Sequence, residues 1–162
     1  MIYVALGTMF LDFSRLVRAV DTIAADTGEQ TVVQLGMAKT IPRNCAWFRF
    51  KPAEELVEWQ AHARVIVAHG GIGATLDALH ARRSLIVVPR LKAHGEHMNN
   101  HQVDIAQAVA RRGWGRMVLD VDELAGAVAD PPPVPAHYRP AREPLLAAVR
   151  DMVERVAREK KR

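Results

Sequence analysis

The sequence predicts an α/β domain in which a parallel β-sheet is covered by helices on both faces. Short β-branched runs alternate with longer amphipathic segments along residues 1–130, and the apolar runs are continuous rather than alternating. Continuous runs are typical of strands that are buried on both faces. A chain of 162 residues with 49% hydrophobic and 25% charged residues fits one soluble domain of this class.

Six strands are predicted in chain order from these apolar runs. They are Ile2 to Leu6, Thr31 to Leu35, Ala46 to Phe50, Arg64 to Ala68, Leu85 to Pro89 and Arg116 to Leu119. Because the first run has no basic leader and continues directly into Asp12, we interpret it as a strand rather than a signal peptide. No apolar run approaches the roughly 18 residues that a membrane-spanning helix requires.

Four helices are predicted between the strands from apolar residues at helical spacing. The first follows Asp12, the expected N-cap, and ends at Gly28. The second covers Glu54 to His62. The third carries the stripe Ile72, Leu76 and Leu79, and the fourth carries Val103, Ile105, Ala106, Val109 and Ala110 before Gly113. The single cysteine, Cys45, is expected to be a buried small apolar residue in a reducing compartment.

The excess of positive charge lies at the carboxyl-terminal end of the sequence. Lys and Arg number 22 against 18 Asp and Glu, a net charge of +4, which would suit nucleic acid or an acidic membrane. Up to Asp130, however, 14 basic side chains balance 14 acidic ones, whereas from Pro131 onward there are 8 basic and 4 acidic residues. A neutral body in a chain with 6% aromatic residues disfavours a nucleic-acid-binding module.

Three parts follow from this division of the sequence. Residues 1–130 form the α/β body, the proline-rich residues 131–143 form a stiff linker, and residues 144–162 form a basic amphipathic helix. The apolar stripe of this helix consists of Leu145, Leu146, Val149, Met152, Val153 and Val156. The sequence does not decide where this helix binds: on its own domain, on a partner protein or on a membrane surface.

Glycines follow two of the predicted strands, at the sheet edge where ligands bind in parallel α/β domains. Gly7 and Thr8 follow the first strand, and His69, Gly70, Gly71 and Gly73 lie between the fourth strand and the third helix. Glycines at a helix N-terminus expose backbone N–H groups that suit a diphosphate. A tight structural turn is the alternative, and the spacing matches neither a P-loop nor the dinucleotide-binding fingerprint. Asp77, further along the helix, would bind ribose hydroxyls or face solvent.

A polar loop follows the fifth predicted strand and leads into the fourth helix. Its candidate binding residues are Arg90, Lys92, His94, Glu96, His97, Asn100, His101 and Gln102. Amide, carboxylate and imidazole groups together suit several sugar hydroxyls. The spacing of His97 and His101, at i and i+4, is also compatible with a metal site. Because the helix lacks a His-Glu-x-x-His pattern, we favour sugar recognition without a metal. Arg90 or Lys92 would bind a uronate carboxylate or a phosphate.

Four segments resemble the C-terminal, nucleotide-sugar-binding half of family 28 glycosyltransferases. They are Val4 to Thr8 with Phe13 and Leu16, Val33 to Gly36, Ile66 to Thr75, and Val87 to Arg90 with Gly95 to Gln102. The resemblance is to the single-domain subunits of split enzymes that build lipid-linked oligosaccharides and exopolysaccharides. It implies a Rossmann-like half of a GT-B fold, followed by the C-terminal helix.

The resemblance also implies roles for individual residues around a UDP-sugar. Gly70, Gly71 and Gly73 would hold the diphosphate, Asp77 would meet the ribose, and Phe50 would border the uracil. Glu96 and His97 would bind the donor sugar, with Asn100 and Gln102 supporting their loop. Gly7, Thr8 and Arg90 complete the expected binding residues. Relatives usually have Glu at the position of Asp77, so this chain has a shorter acid there.

The implied function is the donor-binding, catalytic subunit of a two-subunit inverting glycosyltransferase that needs no metal or other cofactor. A membrane-anchored partner would bind the lipid-linked acceptor, a polyprenyl diphosphate, and would hold this chain at the cytoplasmic face of the membrane. His69, His97 or a residue of the partner would be the catalytic base. The alternative is a non-catalytic UDP-sugar-binding or regulatory subunit of the same kind of complex.

Overall fold

Six strands form one sheet in the computed structural model, which describes residues 1–136 and 138. The strands are β1 (Ile2–Ala5), β2 (Thr31–Gln34), β3 (Ala46–Phe48), β4 (Val65–Ala68), β5 (Ser84–Val87) and β6 (Arg116–Met117). Their order across the sheet is β3-β2-β1-β4-β5-β6, and every neighbouring pair runs parallel. The predicted α/β class is confirmed, although several strands end one or two residues earlier than predicted.

The four predicted helices are present, and a fifth one was missed. The helices are α1 (Ser14–Thr27), α2 (Ala53–His62), α3 (Ile72–His80), α4 (His101–Arg111) and α5 (Leu124–Ala129). Gly28 ends α1 in the left-handed conformation, and its N–H donates to the carbonyl of Ala24, as a helix-ending glycine commonly does. The missed helix has only six residues, which is too short for a helical period to be visible in sequence.

The predicted N-cap of α1 was wrong by one residue. Phe13 occupies the N-cap position and makes no side-chain capping hydrogen bond, since a phenyl ring has no acceptor oxygen. Its ring is fully buried in the core. The Asp12 carboxylate instead accepts hydrogen bonds from the Ser14 hydroxyl and from the backbone N–H of Lys39. Burial raises the pKa of Asp12, but these hydrogen bonds outweigh it, so the pKa lies below its usual value.

Two apolar layers form the core, one on each face of the sheet. Side chains of α1 and α5 pack on one face against alternate strand residues such as Val4 and Val67. Side chains of α3 and α4 pack on the other face, against the intervening residues such as Ala5 and Ile66. Strand residues thus contribute to both layers in turn, which explains why the apolar runs in the sequence are continuous.

Two predictions of burial were wrong. Ala46 and Trp47 of β3 are exposed, because β3 is an edge strand with a neighbour on one side only. On α3, the buried residues are Thr75, Ala78 and Leu79, whereas Ile72 and Leu76 of the predicted stripe face outward. Cys45 is partly buried against the α1 layer, and burial raises its pKa to about 12.

The last helix of the described residues lies just before Asp130. Helix α5 finishes at Ala129, and residues 131–135 form neither helix nor strand. The rest of the predicted linker, apart from residues 136 and 138, and the whole predicted helix at 144–162 lie outside the described residues. Within residues 1–136 and 138, no helix is long and apolar enough to cross a membrane.

Candidate functional site

The strand order reverses between β1 and β4, and the predicted glycine turn lies at this point. The chain leaves β1 toward α1 on one face of the sheet and leaves β4 toward α3 on the other. Ala5 pairs with Ala68, so both strands end at the same level. In open parallel sheets the crevice at such a reversal is where ligands bind. Gly7 and His69, the first candidate residues after the two strands, are therefore neighbours.

The imidazole of His69 is held between two of the predicted glycines. A Cβ atom on Gly7 would lie 2.4 Å from His69 Cε1, and one on Gly71 would lie 2.2 Å from His69 Nε2. Both distances are shorter than any contact that a real side chain makes. These two positions therefore require glycine because of the histidine, whether or not a ligand is bound.

A hydrogen bond fixes the tautomer of His69. Its Nδ1 lies 3.2 Å from the carbonyl oxygen of Ala5, and because a carbonyl only accepts, Nδ1 carries the proton and Nε2 is a free acceptor. Burial lowers the pKa of His69 to about 4, with the charges of Arg90 and His97 acting in the same direction against the Ala5 hydrogen bond. His69 is consequently neutral at pH 7.

The remaining two glycines of the turn have different surroundings. A Cβ on Gly70 would lie 2.6 Å from the backbone oxygen of Gln102, so Gly70 lets the turn pack against the start of α4. A Cβ on Gly73 would have no atom within 4 Å. Gly71 is the N-cap of α3 and supplies no side chain, so the N–H groups of the first turn have no side-chain cap. The open position of Gly73 lies in this turn.

Arg90 does not lie where a ligand could touch it. Its guanidinium is fully buried and donates to the backbone carbonyls of Leu6, Leu11, Asp12 and Glu96, at 2.9 to 3.4 Å. It also stacks on the Phe13 ring, 4.5 Å from its centroid. Arg90 therefore ties the loop after β1 to the loop after β5, and the expected contact with substrate is not available to it.

Glu96 is buried and paired with an arginine that the sequence did not single out. Its two carboxylate oxygens accept from Arg15 Nε and Nη2, both at 2.9 Å, and Oε2 also accepts from the Leu91 N–H at 3.0 Å. Arg15 donates further to the carbonyls of Pro89 and Leu119. From the sequence, Arg15 is a polar residue on the surface of α1. Only the fold shows that this surface contacts the loop after β5.

His97 has the opposite tautomer to His69. Its Nδ1 accepts a hydrogen bond from the Asn99 N–H at 3.3 Å, so in the neutral ring the proton is on Nε2. Burial, the neighbouring His101 and Arg90 all lower the pKa of His97. The His97 and His101 rings stack edge to face at 4.5 Å. No group of three or more potential metal ligands occurs within residues 1–136 and 138.

Asn100 and Gln102 hold the backbone of the same loop. The Asn100 side chain accepts from the Lys92 N–H at 3.0 Å, and the buried Gln102 side chain accepts from the Arg90 N–H at 3.1 Å. Thr8 and Asp77 are exposed at the turn and on α3, and Phe50 is half exposed just after β3. These three side chains thus remain open to a ligand.

A cavity that the sequence did not predict lies beside Arg15. It encloses about 470 Å³ and is lined by Arg15, His94, Leu119, Asp120 and Glu123. A second cavity of about 250 Å³ shares Arg15 and His94 and extends to Asp12 and Arg18. Both lie beyond β5 and β1 on the α1 side of the sheet, whereas the glycine turn leads into α3 on the other side.

The sheet order and the glycine turn at its reversal define a Rossmann-type α/β domain. The family model described as "Glycosyltransferase family 28 C-terminal domain" matches residues 1–156. The chain therefore belongs to this family.

Curated relatives carry a more specific name. The chain is 36% identical over 94 residues to the "UDP-N-acetylglucosamine transferase subunit ALG13" of Eremothecium gossypii, covering 54% of this chain and 44% of that protein. It is 29% identical over 75 residues to the protein of the same name from Yarrowia lipolytica, covering 46% of this chain and 36% of that protein. The matched region thus spans less than half the length of either relative.

Solved structures of glycosyltransferases share the fold. The calicheamicin glycosyltransferase CalG4 superposes with a TM-score of 0.62 at 24% identity, covering 97% of this chain and 38% of that chain. MurG of Acinetobacter baumannii superposes with a TM-score of 0.54 at 14% identity, covering 79% and 40%. The chain thus corresponds to well under half of each of these proteins, and the predicted GT-B half-domain is confirmed as a fold.

Proposed function

We propose that this chain is the donor-binding, catalytic subunit of a two-subunit inverting glycosyltransferase. The donor would be a UDP-sugar, and the acceptor a polyprenyl-diphosphate-linked glycan in polysaccharide or glycan biosynthesis. The observation that carries the proposal is the first turn of α3, which has no side-chain cap and contains Gly73 in open space at the strand reversal. The name of the ALG13 relatives supports a UDP-sugar donor and a subunit role.

The diphosphate of the donor would bind at this first turn. Backbone N–H groups of the turn and the partial positive charge of the helix N-terminus both favour a phosphate there. Gly70 and Gly71 serve the site indirectly, since they let the turn pack against Gln102 and His69. Thr8 and Asp77 would meet a phosphate and the ribose, and Phe50 would border the uracil; the exposure of all three side chains supports these roles.

The donor sugar would lie against the loop after β5. His97 Nε2–H is a donor suited to a sugar hydroxyl or a phosphate oxygen, because Nδ1 is already occupied by Asn99. Glu96 already accepts three hydrogen bonds from Arg15 and Leu91, so a sugar hydroxyl would find little acceptor capacity left on it. We therefore assign Glu96 mainly to positioning the loop, and His97 to the sugar.

The reaction would be an inverting displacement at the anomeric carbon. The acceptor hydroxyl would attack from the side opposite to UDP, and negative charge would develop on the leaving diphosphate. Preorganised N–H donors at the α3 N-terminus would stabilise that charge without a metal. His97 carries its proton on Nε2, and His69 Nε2 is packed against Gly71, so neither is well placed as the base. We propose that the base comes from the partner subunit.

The partner would also bind the acceptor and attach this chain to the membrane. It would be membrane-anchored and bind the lipid-linked acceptor, and this chain would associate with the cytoplasmic face of the membrane through it. The basic residues of segment 144–162 would be attracted to an anionic surface. A non-catalytic UDP-sugar-binding subunit is the rival function.

Gly73→Val tests the donor site with a matched control. Gly73 has free space around it and no positive φ, so valine should fold there but should block the approach of a phosphate. Gly126→Val makes the same change on α5, also in free space. UDP should raise the melting temperature of the wild type and of Gly126→Val but not of Gly73→Val. Equal stabilisation of all three would contradict the proposed site.

The rival function is tested on the reconstituted pair of subunits. Transfer from UDP-N-acetylglucosamine should need both subunits and should fall at least tenfold in His97→Ala. If the pair transfers sugar at the wild-type rate with His97→Ala and Gly73→Val, the chemistry lies elsewhere and this chain is a regulatory subunit.

A further inference from the structure

An apolar groove lies between α3 and α4, and its lining combines buried residues such as Leu79 and Val109 with exposed ones. It encloses about 210 Å³, and its lining includes Ile72, Leu76, Ile105, Ala108 and Trp114. Ile72 is 60% exposed and Leu76 is 37% exposed, although both are large aliphatic residues one helical turn apart on the same helix. The groove therefore presents apolar side chains whose burial against another apolar segment would be favourable.

The chain itself arrives at one end of this groove. The ring of Tyr138 packs edge to face on Trp114, with the ring centroids 5.3 Å apart. The Tyr138 hydroxyl lies 3.2 Å from Nε2 of His80, the last residue of α3. Tyr138 is the last described residue and is in contact with a residue that lines the groove.

The segment after Tyr138 has the sequence and the reach to fill the groove. Residues 145–156 lie outside the described residues and carry an apolar stripe consisting of Leu145, Leu146, Val149, Met152, Val153 and Val156. Seven residues lead from Tyr138 to Leu145, which can span up to about 25 Å. A helix of nine residues such as α3 is about 13 Å long, so all of the groove is within reach.

We propose that the apolar stripe of residues 145–156 docks into the groove between α3 and α4 of its own domain. Its charged side, which includes Arg150, Glu154 and Arg155, would then face water. Twelve helical residues would extend over about 18 Å and cover the groove along its length. Burial of the stripe against Ile72 and Leu76 removes apolar surface from water on both sides of the contact. The proposal is independent of donor binding.

Disulfide trapping in the full chain tests this contact. In a Cys45→Ala background, Leu76→Cys is combined with Val149→Cys, which lies in the middle of the stripe. The first control combines Leu76→Cys with Arg150→Cys, one residue away on the charged side. The second control combines Val149→Cys with Val57→Cys, an apolar residue of α2 that is 61% exposed. Leu76 and Val57 are exposed, so cysteine at either position should leave the α/β body folded.

The Leu76/Val149 pair should form an intramolecular disulfide at least ten times faster than either control pair, because the thiols are held within bonding distance. Equal rates in the three pairs would overturn the proposal. A disulfide-linked dimer as the main product would also overturn it and would assign the groove to a second copy instead. Failure of the Leu76/Val149 pair to oxidise would also overturn it, because the two thiols would then not meet.

A second measurement needs no cysteines. Leu76→Asp places a charge in the groove and should increase cleavage by trypsin after Arg150 and Arg155 at least fivefold. Val57→Asp makes the same change on α2 and should leave the cleavage rate unchanged. Equal cleavage of the two variants and the wild type would also contradict docking in this groove.

Discussion

Arg90 acts as a structural crosslink between two loops that carry candidate site residues. Its guanidinium donates hydrogen bonds to backbone carbonyls of both loops and stacks on the Phe13 ring. Burying an arginine costs desolvation free energy, which the hydrogen bonds of Nη1 and Nη2 offset here, although Nε has no partner among the described residues. The loops after β1 and β5 therefore hold one geometry as long as this side chain is present.

Arg90→Lys is expected to destabilise the protein by about 2 to 4 kcal/mol. An ammonium cannot reach four carbonyls in a fork, so several buried acceptors lose their partners. The free energy of unfolding is measured by urea denaturation. Arg112→Lys, which changes an exposed arginine on the ring of Trp114, is the control and should cost less than about 1 kcal/mol. A similar loss in both variants would show that Arg90 is not a crosslink.

His69 is expected to lower the free energy of unfolding as the pH falls. Its pKa of about 4 in the folded chain lies below the value of 6.5 that it has when unfolded, so the unfolded state binds the proton first as the pH falls. Stability is full above pH 6.5 and decreases toward pH 4. This residue alone should remove about 2 kcal/mol between pH 7.5 and 5. In His69→Gln the free energy of unfolding should change by that much less over the same range, and an unchanged pH dependence would contradict the assignment.

At the scale of elements, the turn after β2 is packed against the turn after β1. A Cβ on Gly36 would lie 2.2 Å from the backbone oxygen of Gly7, and the φ of Gly36 is +54°. Because backbone atoms cannot swing away as a side chain can, the two turns have to move apart if this glycine is replaced. Gly7 belongs to the proposed donor site, so the packing of these turns bears on binding.

Gly36→Ala is therefore expected to cost more than Gly28→Ala. Both glycines have positive φ, but Gly28 has no atom within 4 Å, so its replacement should cost about 1 kcal/mol from backbone strain alone. Gly36→Ala should cost at least twice as much and should also weaken UDP binding several-fold. Thermal unfolding and UDP titration measure the two effects. If the two variants are equally stable, the turns are not in the close contact described.

The sequence predicted the elements better than it predicted what each side chain does. The alternation of strands and helices was visible because burial on both faces of a sheet leaves continuous apolar runs. The turn after β4 was visible from its glycines. The burial of Arg90 and the pairing of Arg15 with Glu96 were not visible, because both depend on contacts between residues that lie 79 and 81 positions apart. The outward direction of Ile72 was also hidden, since periodicity alone does not show which side of a helix meets the sheet.

At the scale of the whole molecule, the charge is unevenly distributed. The 14 basic and 14 acidic side chains up to Asp130 cancel, so the net charge of +4 comes from the segment beyond it. Four of these cations are Arg158, Lys160, Lys161 and Arg162. Each basic residue close to an anionic membrane contributes about 1 kcal/mol of attraction.

Replacing these four residues by Gln is expected to weaken binding to vesicles that contain anionic lipid by at least tenfold at low salt. Vesicles of neutral lipid should not distinguish the variant from the wild type, since the attraction is electrostatic. The control replaces Lys39, Arg43, Lys92 and Arg111 of the body, all exposed, which removes the same charge. Co-sedimentation measures binding. Equal loss in both variants would mean that only total charge matters.

The crosslink through Arg90 also bears on protein engineering. Loop exchange between related enzymes is a common way to change the sugar that is accepted, and here the obvious segment to exchange is residues 89–102. That segment is bonded through Arg90 and Glu96 to carbonyls of the loop after β1 and to Arg15 of α1. A transplanted loop that arrives without residues 6–15 would lose its supports. Chimaeras made to test the proposed donor site should therefore exchange the two segments as one unit.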